Sequence, residues 1–193
     1  MERVWYVSYG SNMAMARLTA YLQGGVPAGG RRRNPGARDP RLPERDVPVD
    51  LPGTVWFAGE SPQWGGGVAF YEHAEPGQTA ARGYLVTVEQ LADIAAQEMY
   101  RTPADDDPLV AVLGSPLPGG RHVLGPGRYE TLLEVGRHDG FPLLTFTAPH
   151  GIGHLPHTRP SAAYLSMVAT GLRESRGWDE DRVSAYLGSL VRG

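Results

Sequence analysis

Cysteine and lysine are both absent from the sequence. Without cysteine, the chain can form no disulfide, no thiolate metal site and no cysteine nucleophile. All 18 of its strongly basic residues are arginine, so no side-chain amine can form a Schiff base or complete a phosphate-binding P-loop. These two absences exclude aldolase-type, pyridoxal-phosphate-dependent and Walker-type chemistry.

Long apolar segments are missing as well. No stretch approaches the ~20 residues that a membrane-spanning helix requires, and residues 1–6 lack the pattern of a secretory signal peptide. We therefore expect a cytoplasmic protein without a membrane partner. The net charge of −3 argues against a general nucleic-acid binder, and the sequence does not indicate an oligomeric state.

The remaining composition is that of one ordinary globular domain. The 193 residues are 41% hydrophobic, enough for a sizeable core, and 26 glycines with 17 prolines favour many turns. Strand patterns mix with helix patterns without regular alternation, which is typical of the α+β class with a mostly antiparallel, barrel-like sheet. We predict a single domain over 1–193, with irregular excursions at 26–53 and 101–128.

The two excursions have different compositions. Segment 26–53 is rich in proline and contains an arginine tract at 31–33. We interpret the tract as a solvated loop because interleaved acidic residues weaken its attraction for phosphate, and a basic groove is the functional alternative. Segment 101–128 is turn-rich with few core anchors, so we expect a lid that affects substrate choice more than folding.

A tight turn joins the first strand to the first helix. The strand stops at Gly10, Ser11 and Asn12, after which apolar residues follow helical spacing. Glycine permits a sharp turn, and free amides at a helix start form a positive concave site for an anion or a developing oxyanion. The alternative is an ordinary turn in which Ser11 or Asn12 caps the helix.

A second helix opens with a capping box at residues 87–90 and is predicted to run to about residue 100. Glu98 follows Ile94 by four residues, so it shares the apolar face of this helix, whereas Glu89 and Asp93 fall elsewhere. A carboxylate that loses hydration is suited to accept and return a proton near neutrality. Alternatively, Glu98 is exposed at the last turn or paired with Arg101.

Two further segments permit weaker interpretations. The glycine run after Trp64 is either a loose hairpin turn or a place where backbone approaches a ligand. His150, His154 and His157 lie close together, but they lack the helical spacing of zinc proteases and a nearby carboxylate. We therefore predict a loop that lines or flanks a cleft and no metal site.

The order of these motifs resembles the gamma-glutamyl cyclotransferase-like family. The matching segments are the turn at 9–13, the glycine run at 64–69, the strand at 83–86, the helix at 91–98 and the helix entry at 159–165. The resemblance covers most of the chain outside the two excursions. Its first motif is fairly specific where it ends an N-terminal strand, whereas the glycine run alone is not.

The resemblance implies a small mixed β-barrel with flanking helices around a cavity. It also implies that Tyr9, Gly10, Ser11 and Asn12 bind a γ-glutamyl group and that Glu98 is the catalytic acid and base. The implied reaction is intramolecular aminolysis, giving 5-oxoproline and a free amine or amino acid, with no cofactor or metal. The turn amides near Gly10 and Ser11 would stabilise the tetrahedral oxyanion.

One position departs from the family pattern, because Met99 stands where the family usually has glycine after the glutamate. The rival interpretation is therefore a non-catalytic small-molecule binding module on the same fold. The leaving group is not identified by the sequence.

Overall fold

The computed structural model describes residues 2–192 of the chain, and the side chains of residues 2–191. These residues form eight strands and five α-helices. The strands are β1 (Arg3–Ser8), β2 (Asp46–Pro52), β3 (Thr54–Ala58), β4 (Val68–Glu72), β5 (Gln78–Thr87), β6 (Arg121–Val123), β7 (Thr131–His138) and β8 (Phe141–Thr147). The helices are α1 (Met15–Gln23), α2 (Val88–Glu98), α3 (Pro108–Leu113), α4 (Ala162–Arg176) and α5 (Glu180–Arg192). No helix in this part of the chain is both long and apolar enough to cross a membrane.

Six strands form the main sheet, in the order β2-β5-β1-β8-β7-β6. Only the pairing of β1 with β8 is parallel, and the other pairs of this sheet are antiparallel. The predicted α+β class with a mostly antiparallel sheet is confirmed. The expected barrel is wrong: β3 and β4 pair with each other in a separate hairpin, so among residues 2–192 the main sheet stays open at β2 and β6.

The main sheet separates two hydrophobic cores. Because successive side chains of a strand point to opposite faces, Trp5 and Val7 of β1 enter one core while Val4 and Tyr6 enter the other. Helices α4 and α5 complete the first core, and α1, α2 and α3 complete the second. β1 is therefore buried on both faces, which fixes the position of the turn that follows it.

Segment 26–53 differs from the predicted irregular excursion. Its last part forms β2, which pairs with β5 from Asp46 opposite Tyr84 to Pro52 opposite Gln78. The prolines that hid this strand are tolerated because an edge strand has a neighbour on one side only.

Segment 101–128 differs from its prediction in the same way. It contains α3, whose first turn is capped by Asp107: Oδ1 accepts a hydrogen bond from the Leu109 backbone N–H at 2.9 Å. Leu109, Leu113 and Leu117 are buried in the second core. The expectation that this segment has few core anchors is therefore wrong, because these three leucines bind it to the core.

Candidate active site

A cavity of about 350 Å³ opens where β1 ends. Its walls come from the turn at 9–12, the C-terminal end of α2, residues of α1, the segment 61–69 and Tyr164 of α4. This volume lies within the range of about 300–1,000 Å³ that is typical of small-molecule sites. The four predicted turn residues and Glu98 all line it.

The turn after β1 is held rigidly from both sides. The buried Tyr9 hydroxyl donates to the Phe146 carbonyl at 2.9 Å, and the Tyr84 hydroxyl lies 2.9 Å from the Asn12 carbonyl. Residues Ser11–Met13 form a short 3₁₀ turn, and α1 begins only at Met15, with no side-chain cap. The predicted capping role of Ser11 or Asn12 is therefore wrong, and the Asn12 side chain is free for another contact.

That contact joins the two features that the sequence analysis singled out. The Asn12 amide Nδ2 donates to Glu98 Oε1 at 2.7 Å and lies 2.8 Å from the Tyr6 hydroxyl. Since a carboxylate only accepts hydrogen bonds, this contact also fixes the orientation of the Asn12 amide. Asn12 is buried and Glu98 is half-buried at the last turn of α2, so the carboxylate is positioned at the cavity wall.

Phenol groups surround the Glu98 carboxylate. Burial raises the pKa of Tyr6 and of Tyr164, and in both the negative charge of Glu98 adds to the shift. Burial also raises the pKa of Tyr21. These hydroxyls therefore stay protonated at neutral pH and remain hydrogen-bond donors beside the carboxylate.

The other acidic residues of α2 do not follow the prediction that they lie away from the buried face. Asp93 is only 1% exposed, and its carboxylate accepts from the Arg38 backbone N–H at 2.8 Å and from the Arg38 guanidinium. Arg38 belongs to segment 26–53, which covers this side of the helix. Glu89 is half-buried, and Arg101 pairs with Asp107 at 3.0 Å instead of with Glu98.

Arg17 of α1 is a candidate functional residue that the sequence analysis did not identify. It lines the cavity and is only 4% exposed. Its guanidinium donates to Asn34 Oδ1 at 2.7 Å and to the Tyr21 hydroxyl, and it stacks 4.0 Å from the Tyr21 ring centroid. It forms no ion pair with the described part of the chain. The sequence feature that could have identified Arg17 is its position among the apolar residues on one face of a helix.

Three buried polar atoms in the lining have no hydrogen-bond partner among residues 2–191. They are one acceptor, Asn12 Oδ1, and two donors, Arg17 Nε and Gln63 Nε2. Buried polar groups are nearly always hydrogen-bonded in folded proteins. These three atoms make the wall of the cavity polar and leave it able to hydrogen-bond with a bound molecule or ordered water.

Comparisons with known proteins establish the fold. A solved gamma-glutamyl cyclotransferase matches 98% of this chain and 88% of its own, with a TM-score of 0.57 and 14% identity. The chain has a gamma-glutamyl cyclotransferase-like fold. An uncharacterized protein from Homo sapiens gives a TM-score of 0.55 at 14% identity, with 98% and 89% covered. YkqA from Bacillus subtilis gives 0.53 at 15% identity, with 98% and 55% covered.

Sequence comparison gives a relative whose name does not refer to gamma-glutamyl chemistry. No family model matches the chain. Histone deacetylase 5 from Arabidopsis thaliana is 29% identical over 202 aligned positions, which cover 97% of this chain and 31% of that protein. The chain thus spans about a third of the length of this curated relative, whose name belongs to the whole of that protein.

Within this gamma-glutamyl cyclotransferase-like fold, the residue after Glu98 adopts an ordinary backbone. Met99 has φ −90°, so a side chain is accommodated where the family usually has glycine. The left-handed position is one residue later, at Tyr100, with φ +58°. A non-glycine residue rarely adopts this conformation, and Tyr100 lies under the Arg32 guanidinium at 4.7 Å.

The glycine run at 65–67 allows two backbone segments to pack closely against each other. An ideal Cβ on Gly66 would lie 2.6 Å from the Arg159 carbonyl, and one on Gly67 would overlap the Thr158 carbonyl. The Gly67 N–H donates to the Arg159 carbonyl at 2.8 Å. These glycines thus bring the chain entering α4 close to β4, which helps to place Tyr164 at the cavity.

The three predicted histidines lie outside the lining of this cavity, but His150 lines a second cavity of about 460 Å³. The His150 and His154 rings are 4.5 Å apart, whereas His157 forms an isolated bridge with Ala58. Burial, together with the nearby His154, lowers the pKa of His150. Among the described residues, no group of three or more histidine, aspartate or glutamate side chains is arranged to hold a metal ion.

Proposed function

We propose that this protein is a gamma-glutamyl cyclotransferase-type enzyme. It would convert a γ-glutamyl compound into 5-oxoproline and a free amine or amino acid by intramolecular aminolysis. The observation that carries the proposal is the 2.7 Å hydrogen bond between Asn12 and Glu98. The same cavity contains Arg17, which has no carboxylate partner among the described residues. It combines a positioned proton acceptor with groups that match an amino-acid head.

The polarity of the cavity supports this class of substrate. The Glu98 carboxylate and Asn12 Oδ1 are acceptors for an ammonium group, whereas Arg17 and Gln63 supply unpaired donors for a carboxylate. An α-amino acid head carries both groups. Because a buried guanidinium is costly without a counter-ion, a substrate carboxylate would stabilise Arg17 on binding.

The reaction would then proceed with Glu98 as acid and base. Glu98 takes a proton from the substrate α-ammonium group, and the freed amine nitrogen attacks the γ-carbonyl carbon of the same molecule. A C–N bond forms in the new five-membered ring, and the bond to the original amide nitrogen breaks. Glu98 returns the proton to that departing nitrogen. The ring nitrogen then loses its second extra proton, and the released amine takes up a proton and leaves as an ammonium ion. Holding the substrate folded brings the reacting atoms together.

The turn at 9–12 would stabilise the oxyanion. Gly10 and Ser11 line the cavity, and the backbone amide of Gly10 is a candidate donor to the developing negative charge. The Tyr164 hydroxyl lies beside the same turn and interacts with the Ser11 backbone N–H. Burial raises the pKa of this phenol, so it too stays a donor near the reacting carbonyl.

Glu98→Gln tests the proposal directly. The glutamine keeps the size of the side chain and an oxygen acceptor for Asn12, but it cannot accept the substrate proton. We expect the variant to stay folded and to bind substrate, with turnover lower by on the order of 10² or more. The measurement is single-turnover 5-oxoproline formation by mass spectrometry over a panel of γ-glutamyl compounds.

Glu75→Gln is the control, because Glu75 is exposed and lies outside the cavity lining. Equal rates for wild type and Glu98→Gln would reject the acid and base role. Saturable binding of γ-glutamyl compounds to wild type, without any 5-oxoproline, would instead support the non-catalytic binding module.

A further inference from the structure

We propose that the mouth of the cavity is a subsite for a leaving group with two or more negative charges, such as a dicarboxylate or a phosphate monoester. The inference rests on the proposed function, since it specifies the amine that leaves when 5-oxoproline forms.

The cavity is a positive region in a negatively charged protein. The chain has a net charge of −3, yet Glu98 is the only acidic side chain among the described residues that line the cavity. Clefts lined by charges of one sign concentrate ligands of the opposite sign. The basic lining residues are Arg17, Arg32, Arg33, Arg101 and Arg128.

Four of these five arginines, Arg17, Arg32, Arg33 and Arg128, have no carboxylate partner in the part of the chain that the structure describes. Arg101 is neutralised by Asp107. By contrast, Arg128 donates to the Glu60 backbone carbonyl at 3.3 Å, and Arg32 stacks on a tyrosine ring. Arg32, Arg33 and Arg128 therefore present guanidinium groups that an anion could engage. Part of the tract predicted to be a solvated loop thus lies at the cavity.

The arginines of the cavity differ in their exposure to solvent. Arg17 is buried, Arg128 is half-buried, and Arg32 and Arg33 are exposed. Arg17 is placed to meet the amino-acid head, while the other three lie farther out, at the mouth. This arrangement gives the two ends of one substrate separate basic groups.

Tyr100 lines the cavity two residues after Glu98, and the Arg32 guanidinium stacks on its ring at 4.7 Å. Burial raises the pKa of Tyr100, with Glu98 adding to the shift and the positive charges of Arg128 and Arg32 opposing it. Since Glu98 would protonate the departing nitrogen, the rest of the leaving group extends past Tyr100 toward these arginines. A single exposed ion pair contributes little, whereas guanidinium groups bind carboxylate or phosphate bidentately. Three unpaired arginines therefore match a multiply charged group.

The test compares four substrates that differ only in the leaving amine: γ-glutamyl ethylamide, γ-glutamylglycine, γ-glutamylaspartate and γ-glutamyl phosphoethanolamine. We expect kcat/KM for the last two to exceed that of the ethylamide by about tenfold or more at low salt, with the advantage shrinking between about 0.05 M and about 0.5 M salt. The aspartate and phosphate arms distinguish a dicarboxylate from a phosphate monoester.

Arginine variants locate the effect. Arg32→Gln, Arg33→Gln and Arg128→Gln should each lower kcat/KM for the two dianionic compounds about 3- to 10-fold more than for the ethylamide. Arg121→Gln, an exposed arginine outside the cavity lining, should have no such selective effect. Equal kcat/KM for all four compounds, or an equal effect of Arg121→Gln, would overturn the subsite.

A binding measurement separates this inference from the proposed function. If no compound yields 5-oxoproline, the proposed function fails, and calorimetry on the wild-type protein then tests the mouth alone. Tighter binding of γ-glutamylaspartate than of the ethylamide, lost in Arg32→Gln, would support the subsite. Equal binding of the two compounds would reject it.

Discussion

Gly10→Ala should destabilise the fold because its added methyl group would clash with one atom, the Tyr164 hydroxyl oxygen. An ideal Cβ on Gly10 would lie 2.5 Å from this oxygen and 3.6 Å from the Tyr164 Cζ. The backbone itself is no obstacle, because Gly10 has φ −127°, which any residue adopts. The added methyl group therefore overlaps the hydroxyl but makes only an ordinary contact with the ring.

The magnitude follows from the density of this packing. Forcing one methyl group into a packed site costs about 1–3 kcal/mol of the free energy of unfolding, and Tyr164 is buried between Phe57 and the turn. In a Tyr164→Phe background the overlapping atom is gone, so Gly10→Ala should then cost about 0.5 kcal/mol or less. A coupling energy of about 1–2 kcal/mol is the expected signature.

The assay is urea unfolding of wild type, the two single variants and the double variant, with the m-value checked for constancy. Tyr6→Phe is the control background, since Tyr6 is another buried tyrosine of the cavity that does not contact Gly10 in this way. There Gly10→Ala should keep its full cost. An equal cost of Gly10→Ala in all three backgrounds would refute the assignment of the clash to the Tyr164 hydroxyl.

Two further predictions concern stability. Arg38→Met leaves the negative charge of the Asp93 carboxylate, 1% exposed, without its guanidinium partner. The variant should lower the free energy of unfolding by about 3 kcal/mol. Similar unfolding curves for variant and wild type would contradict the importance of this ion pair. Leu109→Ala should lower the free energy of unfolding by about 2–5 kcal/mol, because segment 101–128 is anchored in the second core. The exposed Val123→Ala is its control, and equal small effects of both would show that the segment is a dispensable lid.

Local patterns predicted the first strand and the first two helices of the chain. The β-branched and aromatic run before Gly10 gave β1, and the capping box placed the start of α2 correctly, with Gln90 accepting from the Thr87 backbone N–H. β2 was missed because its prolines argue against a strand unless its position at the sheet edge is known. Sheet closure was predicted wrongly because the pairing of β3 with β4 is decided by tertiary packing, which local periodicity does not report.

Individual residues of the candidate site were predictable from the sequence, but the contacts between them were not. Glu98 and Asn12 were each singled out from local patterns, but their hydrogen bond joins positions 86 residues apart. The helix-face argument also placed Asp93 wrongly, because Arg38 comes from a distant loop and converts that side of α2 into a buried ion pair. A helical wheel shows which residues share one face of a helix, but it does not show which other parts of the chain pack against that face.

Charge pairing in this fold differs between the packed interior and the cavity. Asp93 is matched by Arg38, and the buried Arg82 is matched by Asp46 and Glu174. Arg17 and Glu98 line one cavity and have opposite charges, yet they form no direct ion pair, and the Tyr21 hydroxyl interacts with both. Folding alone would favour their direct neutralisation, because separated partly buried charges are costly. The substrate proposed above, whose amino-acid head carries both charges, would complete this arrangement when it binds.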